Sequence, residues 1–551
     1  KANFQLNKFV FRIFKMKFDF YNNPYDSKRN TVFASKGMVA TSNILAAEAG
    51  LEILKKGGNA IDSAIATAAA LTVVEPTSNG LGGDAFAIVY FENKIYAING
   101  SGFSPKNLDI EKILSLNLDK MPLYGLIPIT VGGIPATWAA LNKRFGKLKL
   151  IEVLKPAIKY AEEGFAIQPT VALDWKEAFN IYLKASNNNT IKEFKYWFDT
   201  FTFDGKVPEL GEIVKLPYHA KTLKEIGKTN GECFYRGNIA EKIDKFMKEH
   251  GGYLSKEDLN DYYPEWVEPI KTNYKGYDVY EIPPNGHGVT VLMALNILEN
   301  FEENNLHFQI ESLKLAFADT KKYVADIRYM KTSVEEMLSK EYSKKRAKLI
   351  SKNAVLQPKE HIFSSGDTVY LATADKDGNT VSFIQSNYTA FGSGIVIPKT
   401  GIALHNRGAN FSLDRNSDNF IAPRKKPYHT IIPGFLCKDN KPIGAFGVMG
   451  AFMQPQGHLQ ILTNMIDENL NPQASLDKPR WQWVGDKTIE IENNFDKKKA
   501  KELEKLGHNI VRKKDRNYFG YFGRGQIIFR NENNILYGAC EPRTDSGISV
   551  F

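Results

Sequence analysis

Cysteine is scarce in this chain: 551 residues carry only three, Cys233, Cys437 and Cys540. Three widely separated thiols make neither a disulfide framework nor a metal-binding spacing, and they fit a reducing compartment. Long apolar runs are missing too. The longest, Ala64–Val74, falls well short of the ~20 residues that span a bilayer, so no membrane partner is expected. Residues 1–7 have no uninterrupted apolar core and no small-residue cleavage site, so they do not read as a secretory signal. A cytoplasmic location is the expectation. Met16 opens a more ordinary segment, which makes residues 1–15 an expected upstream extension. A dominant charge is also lacking. The net charge of +10 comes from 72 basic and 62 acidic residues. The short runs Lys344-Lys345-Arg346 and Lys497-Lys498-Lys499 suit solvated helix faces. Without a focused basic stripe, nucleic acid is not an expected partner. The segment Gly80-Leu81-Gly82-Gly83-Asp84 is not followed by Gly-Lys-Ser/Thr, so it reads as a structural turn near a site rather than a nucleotide loop. No cofactor and no metal ion is expected.

The composition is that of an ordinary globular protein, with 43% hydrophobic and 24% charged residues. Ile44, Ala47, Leu51 and Leu54 recur at helical spacing up to Gly57-Gly58. Asn59 is placed to cap a second helix, with Asp62 three residues on and Pro76 as its stop. Strands are expected near Phe86–Phe91 and Lys94–Ile98. Residues 150–350 are mainly helical, with apolar periodicity over Leu150–Gly164 and Ile310–Tyr329, and a basic amphipathic stretch over Val334–Asn353. The polar segment Gln357–His361 reads as a loop. From Thr368 onward the chain turns β-rich, with a helix over Pro455–Glu468.

The strongest local signal is a hairpin. Thr368–Ala374 and Thr380–Ser386 are β-rich runs joined by a turn around Asp377-Gly378. Folding the chain about Asp377 sets Thr368 opposite Ser386. Taken alone, a Thr–Ser cross-strand pair is most often structural. Thr368, however, directly follows Asp367. If the Asp367–Thr368 bond is broken, Thr368 becomes an amino-terminal residue that carries both a hydroxyl nucleophile and an amine base. The α-amino group has a pKa of about 7.7–8, so it can activate a hydroxyl that is otherwise a weak nucleophile.

Several segments add to this in the right order. Glu75–Asp84, Gly132–Thr137, Ala161–Phe165, Thr368 with Asp375–Asn379, Phe391–Ile395 and Glu541-Pro542-Arg543 resemble the γ-glutamyltransferase family over about Gly37 to Gly547. The resemblance implies an α+β fold, a four-layer α-β-β-α sandwich of the N-terminal-nucleophile hydrolase type with a helix-rich large subunit. It implies a precursor that cuts itself into a large subunit, residues 16–367, and a small subunit, residues 368–551, which together form one intertwined catalytic domain. A dimer of such heterodimers is a further expectation. Thr368 takes the place of the nucleophile and Ser386 that of its positioning hydroxyl. Gly450-Ala451 takes the place of the family's paired glycines, whose backbone N–H groups face the developing oxyanion. An ordinary glycine turn is the alternative reading there, and Ala451 is expected to keep the backbone at φ values that a Cβ tolerates.

Departures from the family pattern fall in the substrate pocket. Ser101 stands where an arginine is usual, Asn410 where an aspartate holds an amino group, and His429-Thr430 where two serines help bind a carboxylate. Asn387-Tyr388 replaces another polar pair. These variants look like the acylase-like branch of the family. Arg407 is a candidate carboxylate anchor through its guanidinium fork, with a surface ion pair as the plainer reading. His429 reads equally as a satisfied core histidine and is given no base role. The expected activity is cleavage of a γ-glutamyl amide such as glutathione, or of a glutaryl or other acyl amide, with water or an amine as acceptor. A catalytically silent binding protein is the alternative of another class. Arg407, Asn410, His429, Thr430 and Tyr388 are the expected substrate contacts.

Overall fold

The computed structural model describes residues 29–187, 191–303, 305–354, 367–513 and 520–551. The expected extension at residues 1–15, the loop at residues 357–361 and Gly366 lie outside the described residues.

Two seven-stranded antiparallel sheets lie at the centre. One runs in the order Gly547–Val550, Gly37–Thr41, Asp367–Asp375, Thr380–Tyr388, Asp84–Phe91, Lys94–Gly100, Glu265–Val267. The other runs Val32–Ala34, Leu536–Cys540, Arg524–Arg530, Lys441–Met449, Gly434–Lys438, Tyr277–Glu281, Ile270–Tyr274. Side chains alternate across a strand, and the central strand shows the consequence. Val369 and Leu371 join the core shared with the helices Ala60–Val74 and Leu150–Glu163. Tyr370, Ala372 and Ala374 point the other way, into a core with Phe435, Ala445 and Phe446 of the second sheet. The helices Gly288–Leu298, Leu306–Tyr323 and Met453–Ile466 contribute to that second core. Helix, sheet, sheet, helix is the layer order, as the resemblance implied. Strands from both sides of position 368 share one sheet, so the two expected subunits are built around common cores.

The Ala60–Val74 helix is fully buried and begins with a capping box. Asn59 Oδ1 accepts from the Ile61 and Asp62 amides at 3.1 and 3.0 Å, and Asp62 Oδ2 accepts from the Asn59 amide at 3.3 Å. Asn59 Nδ2 also donates to the Phe145 carbonyl at 2.7 Å. Asn59→Ala removes the cap and strands a buried carbonyl. It is expected to cost about 2–3 kcal/mol, read by calorimetry as a fall of about 2–3 °C in the unfolding temperature.

Two sequence expectations shift. The helix expected from Ile310 begins at Leu306, because Asn305 accepts from the Phe308 amide at 3.0 Å, and it ends at Tyr323. The amphipathic stretch from Val334 forms two short helices, Val334–Leu338 and Lys340–Ala347. Ser339 closes the first and caps the second, accepting from the Tyr342 amide at 3.1 Å. No described helix is long and apolar enough to cross a membrane.

Candidate active site

The hairpin forms as read. Pairs from Ala374 with Thr380 to Val369 with Gln385 keep the register set by folding about Asp377, and Gly378 turns at φ 94°. The ladder then slips. Asp367 pairs with Tyr388, so an extra residue bulges on the Thr380–Tyr388 strand beside Thr368. The bulge leaves Thr368 out of the regular ladder but still joined to Ser386 through their side chains.

Ser386 Oγ is the hub. Thr368 Oγ1 donates to it at 3.1 Å, and the Tyr388 amide donates to it at 2.7 Å. Ser386 Oγ in turn donates to the Asp367 carbonyl at 2.7 Å. All four residues are buried. One hydroxyl oxygen thus links the threonine hydroxyl to the carbonyl immediately preceding it in the chain. Tyr388 has φ 80°, an unfavourable region for a bulky side chain. The bulge sets that conformation and aims the Tyr388 amide at Ser386.

The glycine-rich segment packs against this strand. A Cβ on Gly83 would lie 2.4 Å from the Ser386 carbonyl oxygen, so only glycine lets the segment approach so closely. Asp84, at the end of that segment, is buried between two histidines, with His405 Nδ1 at 3.1 Å and His429 Nε2 at 2.8 Å. Burial pushes the Asp84 carboxyl up, but the charge and hydrogen bonds of its histidine neighbours outweigh it and hold the group well below the usual carboxylate range. His429 is pushed down to about 3, first by burial and then by the Arg407 charge. Its Nε2 is engaged by Asp84, and its Nδ1 accepts from the Ile431 amide at 3.4 Å. His429 is therefore a satisfied core histidine, which corrects its place among the expected substrate contacts.

Arg407 is fully buried, which excludes the surface ion pair. Nη1 donates to Thr430 Oγ1 at 2.6 Å, and the guanidinium lies 4.5 Å from the Tyr388 ring centroid. Asp84 Oδ2 is 3.8 Å from Nε, too far for a hydrogen bond. Among the described residues Nε and Nη2 have no hydrogen-bond partner. Burial lowers the guanidinium pKa to about 10, so it stays charged at neutral pH. The Tyr388 hydroxyl donates to Asn410 Oδ1 at 2.8 Å, and among the described residues Asn410 Nδ2 has no partner. Ser101, where the family's arginine is usual, is buried and donates to Asn99 Oδ1 at 2.6 Å. The structure therefore gathers Thr368, Ser386, Tyr388, Arg407, Asn410 and Thr430 through a chain of direct contacts.

Gly450 and Ala451 form the turn from the strand Lys441–Met449 into the helix Met453–Ile466. Met449 pairs with Arg524, whose guanidinium faces the Asp367 carboxyl, so the turn lies at the Thr368 end of the central strand. Gly450 has φ 134° and Ala451 φ 47°. Ala451 thus takes the small left-handed region, one of the few φ ranges at positive sign that a Cβ tolerates. The strand must reverse into a helix within three residues, and the turn imposes that conformation.

Sequence reasoning missed Asp84 as a held anion, His405 as its partner, and a buried carboxyl group around Arg524. Arg524 donates from Nη2 to Asp174 at 2.8 Å and lies 3.4 Å from Glu75 through Nη1. Glu75 and Asp84 were legible only as the two ends of the glycine-rich motif. Among the described residues, one group has metal-ligand chemistry, His307, Glu311 and His508. Its atoms already serve one another: His307 Nδ1 and His508 Nε2 are 2.8 Å apart, His307 Nε2 contacts the Ser351 carbonyl at 2.8 Å, and Lys314 donates to Glu311 at 2.7 Å.

Two facing antiparallel sheets between helical layers, with a threonine at the head of a central strand, define the N-terminal-nucleophile hydrolase class. Within that class the chain belongs to the γ-glutamyltranspeptidase family, whose model matches residues 46–551. The chain is 37% identical over 535 residues to the glutathione hydrolase-like YwrD proenzyme of Bacillus subtilis, covering 94% of this chain and 98% of that protein. It is 30% identical to the glutathione hydrolase proenzyme of Escherichia coli, covering 93% and 91% of the two chains. The crystal structure of a cephalosporin acylase from Bacillus halodurans superposes with a TM-score of 0.93 at 52% identity, covering 97% of this chain and 99% of that one. The chain is a hydrolase of this family.

Proposed function

We propose that the protein cuts itself between Asp367 and Thr368 and then hydrolyses acyl amides through an ester on Thr368, with a preference for acyl groups that end in a carboxylate. The observation that carries the preference is Arg407, a buried guanidinium whose Nε and Nη2 have no partner among the described residues, stacked on the residue that hydrogen-bonds Ser386. A buried cation with two unsatisfied N–H groups is costly, and a substrate carboxylate across its fork is the natural relief. Asn410 brings a neutral amide to the same place, which suits an acyl group without an ammonium. The similarity to a cephalosporin acylase supports this reading.

In the mature enzyme the Thr368 amine takes the proton from its own hydroxyl, and Oγ1 attacks the amide carbonyl. Ser386 holds Oγ1 in line. The backbone N–H groups of the Gly450-Ala451 turn stabilise the oxyanion, and the leaving amine receives the proton from the Thr368 ammonium. Water then attacks the ester with the same amine as base. γ-Glutamyl amides are the second reading, supported by the relatives named glutathione hydrolase. Parallel assays on glutaryl and γ-glutamyl p-nitroanilide test the choice. We expect kcat/KM for the glutaryl compound to exceed that for the γ-glutamyl compound by about 10-fold or more, since placing an ammonium against a neutral amide leaves it underpaired. A γ-glutamyl preference would overturn the acyl assignment and leave the nucleophile untouched.

A further inference from the structure

The carboxyl of Asp367 is a poorly satisfied polar group beside the expected scissile bond. It is fully buried, and among the described residues neither oxygen has a hydrogen-bond partner of ordinary geometry, although the Ala390 amide lies close enough to pull the group down. Asp174 and Glu75 face it, Tyr182 stands nearby, and among the described residues Arg524 is the cation placed against the group. That guanidinium is already engaged by Asp174 and Glu75. Glu75 also accepts from Ser42 and Ser78 at 2.6 and 3.0 Å, and Asp545 adds a further negative group on its far side. Three carboxyls thus crowd one guanidinium. Burial first, and then the Asp174 charge, push the Asp367 carboxyl well above the usual range. These surroundings favour the neutral, protonated form of Asp367, one residue from the nitrogen that must become an amine.

We propose that Asp367 is an acid catalyst of the chain's own cleavage, giving a proton to the departing Thr368 nitrogen. The inference rests on the reading of Thr368 as the self-cleaving nucleophile. In the first step Thr368 Oγ1 bonds to the Asp367 carbonyl carbon. Its proton passes to Ser386 Oγ while the Ser386 proton passes to the Asp367 carbonyl oxygen, along the two hydrogen bonds already present. In the second step the carbon–nitrogen bond breaks and its electron pair stays on nitrogen. The nitrogen takes the proton of the Asp367 carboxyl. The carbonyl re-forms, and its hydroxyl proton goes to the Asp367 carboxylate. The products are an ester and a free Thr368 amine, and the acid is regenerated. Water then opens the ester. The covalent frame holds this carboxyl beside the scissile carbonyl, so no second element has to deliver the proton.

The test uses full-length chain made by cell-free synthesis, with cleavage followed on denaturing gels from mildly acidic to alkaline pH. Asp367→Asn keeps the shape and removes the proton. Its cleavage is expected to slow by about 100-fold, the size of a typical general-acid contribution. Asp367→Glu keeps the acid and is expected to recover most of that loss. The wild-type rate is expected to fall as pH rises through the raised pKa, because the neutral form is lost there, and the Asp367→Asn rate is expected to lack this fall. Uncut Asp367→Asn should melt like uncut Thr368→Ala, which separates lost chemistry from lost folding. Cleavage of Asp367→Asn or Asp367→Ala at the wild-type rate would overturn the proposal, as would a wild-type rate that climbs with pH, the mark of a carboxylate base. Cleavage that persists in Thr368→Ala would instead sink the nucleophile reading itself.

Discussion

Thr368→Ala is expected to leave a single uncut chain with no amidase activity, whereas the wild type yields two fragments, the smaller beginning at Thr368. The Thr368 hydroxyl belongs to the residue that follows the Asp367 carbonyl, and Ser386 is occupied in bridging the two. Losing the nucleophile removes both reactions at once, because cleavage creates the amine that the amidase reaction uses as base. The expected loss of amidase rate is on the order of 10⁴-fold or more. Thr368→Ser keeps a hydroxyl in the same place and is expected to cut, more slowly, since it lacks the methyl that fixes the rotamer. Gel analysis, amino-terminal sequencing of the small fragment and anilide hydrolysis read the result. A Thr368→Ala protein that still hydrolyses the anilide would refute the mechanism. A wild type that stays intact would favour the silent binding protein.

The reason so much of this site could be read from the chain is that its core is local. A turn at Asp377-Gly378 and two alternating runs are enough to bring Thr368 to Ser386 within 19 residues. The capping box at Asn59 is likewise written in four consecutive residues. What escaped the sequence is either a one-residue irregularity or a long-range encounter. The bulge beside Thr368 has no turn residue to announce it, yet it decides that Tyr388 rather than Asn387 gives its amide to Ser386. The Ala451 conformation follows from where a strand must meet a helix, which a Gly-Ala pair does not disclose. The carboxyl crowd joins Glu75, Asp174, Asp367 and Arg524 from four separate parts of the chain. His405 and His429 reach Asp84 from more than three hundred residues away in the sequence, so an aspartate that ends a glycine motif gave no sign of its two histidines.

Arg407→Met is expected to collapse activity on glutaryl amides while sparing amides of uncharged acyl groups of similar length. Two features of the site support so selective an effect. First, Asp84 keeps its two histidine neighbours, His405 and His429, when the guanidinium is removed. Arg407→Met takes a cation from 3.8 Å of Asp84 but leaves the histidine contacts of that carboxylate in place, so the variant is expected to fold. Second, the cation acts on the far end of the acyl group rather than on the reacting carbonyl. Loss of a charge-assisted fork to a buried carboxylate costs about 2–5 kcal/mol, so kcat/KM on glutaryl p-nitroanilide is expected to fall by a factor on the order of 10²–10³. Most of that loss should appear in KM, because the contact is made equally in the ground state and the transition state. Arg407→Lys keeps the charge without the planar fork and should lie between the two. Butyryl p-nitroanilide is the control. If Arg407→Met loses activity on the uncharged compound to the same degree, the guanidinium serves Tyr388 and the hydroxyl pair instead, and the carboxylate preference has no physical basis in this pocket.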